Sequence, residues 1–195
     1  MIKPDVRFEI KTLGCFSITL NGLPVVTYWP DKIEKALFCS LLSPLDLYFT
    51  WDRISRSLLG EPETQVSRRH LEENIIRPLK SFLINELGFN PLITSDENIR
   101  VDQQRMNVDA FEFHNSAVEG LKLLTQGNHL EAMQKLQRAK SLYAGSYLPE
   151  MEGKIIANTR DDLQALYQKV VSERARQVVN PPVHPLKVVS LPTKL

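Results

Sequence analysis

The stretch GNHLEAMQKLQRAKSLYAGSYLP, from Gly127 to Pro149, decides how this chain is read. Gly127, His129, Ala132, Leu136 and Ala139 carry the spacing of a helix that starts after a glycine-broken turn, with small residues where a neighbouring helix comes close. Leu142-Tyr143-Ala144-Gly145-Ser146-Tyr147-Leu148-Pro149 follows directly, and then Arg160, Leu163, Leu166 and Tyr167. A plain helical array does not require that continuation. Upstream, Phe113, Ala117, Leu121 and Leu124 form one apolar stripe, and Ala132, Leu136, Ala139 and Tyr143 form the next. Gly127-Asn128 therefore reads as the turn of an antiparallel helical hairpin. Leu163, Leu166 and Val170 predict a further helix.

The N-terminal half has a different period. Phe8, Ile10 and Thr12 alternate with charged residues, and Phe16, Ile18 and Leu20 alternate with Ser17 and Thr19, which is the period of strands with one face buried. Asn21-Gly22 is a tight-turn signal before Val25 and Val26. Asp31 reads as the N-cap of a helix with core residues Ile33, Leu37 and Leu41. Thr50 or Asp52 can cap a second helix through Ile54 and Leu58, which stops at Gly60 and Pro62. Thr64 or Ser67 can cap a third and longer one, with Leu71, Ile75, Leu79 and Phe82 as its apolar line and Gly88 at its end. Pro78 lies inside that helix, where it removes the bond to the Asn74 carbonyl and costs ~3 kcal/mol unless the helix kinks. Leu92-Ile93-Thr94 and Ile99-Arg100-Val101 flank the polar turn Ser95 to Asn98 and read as a second hairpin.

Strands, three helices and a hairpin, in that order, make a winged helix-turn-helix domain with an N-terminal sheet. Together with the helical half, the chain resembles the bacterial transcriptional activator domain family, the antibiotic-regulatory-protein-type regulators. These carry a tetratricopeptide-like module behind a winged helix. The resemblance rests on Thr12-Leu13-Gly14, Asn21-Gly22, the helix from Lys32 to Leu42, Leu58-Leu59-Gly60-Glu61, Asn107-Val108-Asp109-Ala110-Phe111-Glu112 and the stretch quoted above, over roughly Phe8 to Val171. The expected fold is thus an α+β winged helix-turn-helix with a small sheet, followed by an all-α tetratricopeptide-like domain. Expected boundaries are 1–104 for the winged helix, 105–178 for an abbreviated activator domain and 179–195 for a Pro-rich tail or linker. The four prolines after Asn180 favour an extended tail there. The chain is expected either to be a short family member or to lack the further helical pairs of a full activator module.

The third helix is the expected reader of duplex DNA, since a helix of its length fits the major groove. At about 100° per residue, Arg69, His70, Glu73, Arg77 and Lys80 lie opposite Leu71, Ile75, Leu79 and Phe82. Gln65 and Arg68 occupy the first turn, where backbone N–H groups also favour a phosphate. The resemblance makes Thr64, Gln65, Arg68, Arg69, Arg77 and Lys80, with Arg100 in the wing, the expected nucleic-acid-binding residues. The bland alternative is that Arg69, Glu73 and Arg77, spaced i, i+4, i+8, form a solvated salt-bridge ladder. In the family the helical module supports self-association and contact with the transcription machinery. A homodimer and RNA polymerase or another regulatory protein are accordingly the expected partners. The competing reading is a protein-interaction or signalling module whose winged helix no longer binds DNA; the altered wing, with Glu97-Asn98-Ile99 in place of a Gly-Tyr pair, points that way.

Composition bounds these readings. The chain has 195 residues, 43% hydrophobic and 24% charged, as for one large or two small globular domains. Its formal net charge is +1, and the segment from Met1 to Arg100 holds twelve Lys and Arg against thirteen Asp and Glu. Any DNA-binding face must therefore be local. No apolar run approaches the ~20 residues that span a bilayer. No signal-peptide pattern precedes Phe8, so the expectation is a cytoplasmic protein with no membrane contact. Cys15 and Cys39 each sit among apolar neighbours and read as small buried side chains. His70, His114, His129 and His184 show no metal-ligand spacing, and no nucleophile elbow or phosphate-binding glycine loop is present. No enzyme activity, metal or cofactor is expected.

Overall fold

The computed structural model describes residues 7–46 and 48–179; the expected tail from 180 onward lies outside them. Strand β1 (Phe8–Lys11) buries Phe8 and Ile10 and exposes Glu9 and Lys11. It pairs antiparallel with β2 (Ser17–Leu20), which turns through Asn21-Gly22 into the two-residue β3 (Leu23–Pro24). Both turn residues have positive φ, 52° and 80°, the geometry that makes Asn-Gly the preferred tight hairpin turn. Helix α1 (Lys32–Leu41) is capped by the Asp31 carboxylate, which accepts from the N–H groups of Ile33 and Glu34. Its buried face is Leu37, Phe38 and Leu41, and Ile33, expected in the core, is half exposed at 49%. Trp29 fills the space between the first sheet, α1 and the later helix, with ring centroids 6.0, 5.6 and 5.2 Å from Phe16, Phe38 and Phe82.

Strand β4 (Phe49–Thr50) leads into α2 (Trp51–Leu58), where Thr50, not Asp52, supplies the cap. Asp52 instead accepts from Arg56 Nε at 2.8 Å and from the Glu63 N–H at 3.1 Å, so it ties α2 to the following turn; these bonds hold its carboxyl below the usual range. Helix α3 (Gln65–Leu71) starts in a reciprocal capping box between Thr64 and Ser67. It runs without a break through a π-turn, Glu72–Ile76, into α4 (Arg77–Leu87), which ends at left-handed Gly88. The π-turn is the answer to Pro78. The Arg77 N–H reaches back five residues to the Glu72 carbonyl, so the proline enters at the first turn of a new helical register. The adjustment expected at Pro78 takes the form of a local widening.

Strands β5 (Leu92–Thr94) and β6 (Asn98–Val101) form the expected second hairpin, with β4 added beside β6 to give the order β4-β6-β5. The chain then returns to the first sheet. Strand β7 (Met106–Val108) lies parallel to β1, completing the order β3-β2-β1-β7. The expected boundary at residue 104 thus falls just before a strand hydrogen-bonded into the N-terminal sheet, and buried residues from Phe8 to Val170 form one continuous core.

Helices α5 (Asp109–Thr125) and α6 (His129–Leu142) are the antiparallel hairpin, with Gly127 at φ 77° in the turn. Ala117, Ala132, Leu136 and Ala139 are fully buried at its crossing. Gly120 is also required there, because a Cβ at that position would stand 2.7 Å from Leu136 Cδ2. The long α7 (Lys154–Val179) packs on both helices, burying Leu163 and Val170 and stacking Tyr167 on Tyr143 with centroids 4.1 Å apart. None of the described helices is long and apolar enough to cross a membrane.

Leu13-Gly14 and the loop Ala144-Gly145-Ser146-Tyr147-Leu148-Pro149, far apart in the chain, make one docking device. The Gly14 N–H donates to the Ser146 carbonyl at 2.9 Å, and the Leu148 N–H donates to the Thr12 carbonyl at 2.7 Å. Backbones approach so closely that a Cβ on Gly145 would lie 3.0 Å from Gly14 Cα. Arg160 on α7 closes the loop by donating to the carbonyls of Tyr147, Leu148 and Met151 at 2.8, 2.6 and 2.9 Å. That clamp holds Leu148 in a left-handed conformation, φ 41°, that leucine rarely adopts. On the far side of the same joint Asp109 accepts from Thr12 N–H, Thr12 Oγ1 and Leu13 N–H at 2.8, 2.6 and 3.1 Å. Cys39 is buried, as expected, whereas Cys15 is exposed in the turn between β1 and β2, contrary to its expected burial. The apolar neighbours of Cys15 turn to the core while its own side chain faces out.

Candidate nucleic-acid interface

The helix formed by α3, the π-turn and α4 runs beside the β5–β6 hairpin, and a groove of about 360 Å³ lies between them. Arg68, Glu72, Arg77 and Lys80 line it from the helix, and Thr94, Ser95 and Asp96 line it from the hairpin, with Trp51 among its lining residues. The hairpin tip is held tightly. Ser95 Oγ accepts from the N–H groups of Glu97 and Asn98, and Trp51 Nε1 donates to the Ser95 carbonyl at 3.0 Å.

The expected contact residues divide into three groups. Thr64 is occupied by capping: its hydroxyl accepts from the Ser67 N–H at 3.0 Å and its own N–H donates to Ser67 Oγ at 2.8 Å. Arg68 is also occupied. Its Nε donates to Glu72 at 3.0 Å, one terminal nitrogen donates to the Asp96 carbonyl at 2.7 Å, and Glu63 stands 3.7 Å away. The guanidinium also lies over the Trp51 ring, 4.8 Å from its centroid. Only 28% of the side chain is exposed. The open residues are Gln65, Arg69 and Arg77. Arg69 is 77% exposed and shares only its Nε with Glu73, at 3.1 Å; Arg77 is exposed, with no ion-pair partner among the described residues.

Lys80, expected on the outward face, is half-buried and donates to Thr94 Oγ1 at 2.8 Å, bridging α4 to the hairpin. Arg100 stands opposite Ile93 in the β5–β6 register, and both are exposed, while Leu92, Ile99 and Val101 on the other face are buried. The strand's alternation therefore turns Arg100 away from the groove. Arg68, Arg77 and Lys80 are brought together there, but Glu72 and Asp96 sit among them. Acidic and basic side chains are thus mixed inside the groove as they are along the sequence.

The wing is expected in this region, but Trp51, Thr94, Ser95 and Asp96 are not among its expected contact residues. Trp51 has no periodic signal for its second task, because the wing it holds is 44 residues away.

No protein-family model matches the chain, and no curated protein matches it. Among solved structures, that of Mycobacterium tuberculosis EmbR in complex with a low-affinity phosphopeptide is similar, with a TM-score of 0.52 at 17% identity. The match covers 90% of this chain and 44% of the EmbR chain, so this chain spans less than half of EmbR's length. At that identity the likeness is one of fold. The small sheets and the helices of this chain are consistent with a winged-helix start followed by a helical part.

Proposed function

We propose that this chain is a cytoplasmic, non-enzymatic transcriptional regulator that binds duplex DNA through the helix from Gln65 to Leu87 and the β5–β6 wing. The observation that carries the reading is the groove in which Arg77 and Lys80 face Thr94 and Ser95, beside an open helical face bearing Gln65 and Arg69. A helix with a hairpin flanking it can lie in a major groove while the hairpin follows the adjacent backbone. Arg77 and Arg69 are the phosphate and base contacts in this reading, and Arg68 and Lys80 fix the wing instead of meeting DNA. The helical part, α5 to α7, is the surface for a second copy or for RNA polymerase or another regulatory protein. Two linked copies raise avidity without new contacts, which suits a chain with so little net positive charge.

The test is a binding selection on random duplex DNA, followed by salt titration of the selected site. Replacing Arg69 and Arg77 by Ala is expected to weaken binding and to flatten the dependence on log[salt] by ~1 unit for each phosphate no longer neutralised. Unchanged affinity with an unchanged slope would move the interface to another surface. A second reading, a protein-interaction module without DNA binding, is favoured by Glu72 and Asp96 in the groove. It predicts that no duplex is selected at any salt concentration.

A further inference from the structure

Val66 is 80% exposed, more than any other large hydrophobic residue among those described. It is the second residue of α3, where a β-branched side chain adds little helix propensity, and no part of the described chain covers it. Its neighbours on the helix are polar and open. Gln65, Arg69, His70 and Glu73 are all exposed and share with Val66 an arc of roughly 140° at 3.6 residues per turn. Arg68 lies outside that arc, clamped to Trp51 and Asp96. His70 is turned along the helix towards Asn74, with 2.9 Å between Nδ1 and Asn74 Nδ2.

We propose that Val66 is a specificity-determining residue that packs on the 5-methyl group of a thymine in the major groove, with Gln65 and Arg69 on the flanking base edges. The inference rests on the duplex-binding reading above. A major groove presents hydrogen-bonding groups at every base pair but an apolar group only at thymine, so an aliphatic side chain with no donor or acceptor can recognise nothing else there. Arg69 gives its Nε to Glu73, which orients the guanidinium and leaves both terminal nitrogens without a partner among the described residues. Those two nitrogens match the O6 and N7 acceptors of a guanine, and an open Gln65 matches the N6 and N7 pair of an adenine. The same Arg69 bond partly neutralises Glu73, the one acid on the arc. Arg77, further along the helix, supplies positive charge towards the backbone.

The experiment uses the full chain and the duplex obtained by selection. Each thymine of the selected site is replaced in turn by uracil, which removes the methyl group and nothing else. Kd is measured for the unaltered protein and for Val66→Ala. At one position uracil is expected to weaken the unaltered protein about three- to tenfold, the effect of removing one buried methyl group. Val66→Ala is expected to bind thymine and uracil forms equally, at the level the unaltered protein shows on uracil DNA. Far-UV circular dichroism should be unchanged, because the side chain is exposed. A selected site with no thymine, uracil neutral at every position, or a thymine preference that survives Val66→Ala would each overturn the role of Val66 while leaving duplex binding in place. Failure to select any duplex, or a protein ligand that competes at Val66, would overturn both.

Discussion

At Arg68 one guanidinium meets groups from the turn before α3, from α2, from the π-turn and from the wing: Glu63, Trp51, Glu72 and Asp96. Its position in the first helical turn makes it look like a DNA contact in sequence. Its surroundings make it a brace. Removing it leaves the Asp96 carbonyl and the Trp51 face without their partner, and Arg68→Ala is expected to lower stability by about 1–2 kcal/mol, discounted for partial exposure. Arg68→Lys is expected to recover less than half of that, because an ammonium cannot bond Glu72 and the Asp96 carbonyl while stacking on the ring. Urea unfolding of the three proteins checks this. Full recovery by Lys would reduce the site to a simple charge effect.

Among the elements, the long helix departs furthest from its expected course. The helix runs to Leu87 as expected, but a π-turn just before Arg77, not a kink, accommodates Pro78 by resetting the register. With the missing donor placed in the first turn of α4, Pro78 carries little strain. Pro78→Ala is therefore expected to change stability by less than about 1 kcal/mol, whereas relief of a mid-helix proline would yield ~3 kcal/mol. Thermal and urea unfolding separate the two outcomes. The consequence for the interface is positional: the π-turn sets the angle at which Arg77 and Lys80 meet the groove relative to Arg69. In that register Lys80 reaches Thr94.

Across the full chain, the two halves are joined at Thr12–Gly14, Asp109 and the loop from Ala144 to Leu148, and a single core runs through the joint. Asp109 is the titrating member. Burial raises its carboxyl above the ordinary value, and the bonds from Thr12 and Leu13 only partly offset this. The folded protein thus binds the Asp109 proton more tightly than the unfolded chain does. Its contribution is fully present below the unfolded pKa and is lost as pH rises through the raised folded value. The stability of the unaltered protein relative to Asp109→Asn is expected to fall as pH rises through the ordinary aspartate range, about pH 4, and to level off once Asp109 is ionised in the folded protein as well. Urea titrations of both proteins across that range measure the difference. A rise instead of a fall would mean that the hydrogen bonds outweigh burial. One cooperative unfolding transition is expected for both proteins, since no solvated linker separates the halves.

In the helical module expected to support self-association, Leu163 is buried within the chain and Leu166 is half-buried, so Leu163 offers no open contact to a second copy. Everything legible in the residues alone is local and periodic. Alternation at Phe8 to Leu20, the Asn21-Gly22 turn, the Asp31 and Thr64 caps, the Gly127 turn and the buried Ala132 and Ala139 follow from steric rules that act within a few residues. Those rules also placed Gln65, Arg69 and Arg77 on an open face. Long-range packing had to settle the return of β7 to pair with β1, the meeting of Gly14 with Gly145, the outward turn of Cys15 and the capture of Arg68 and Lys80 by the wing. Each depends on which distant segments come into contact. Periodicity carries no information about that choice, because a face that is apolar or charged along one element is compatible with many partners until the core is assembled around it.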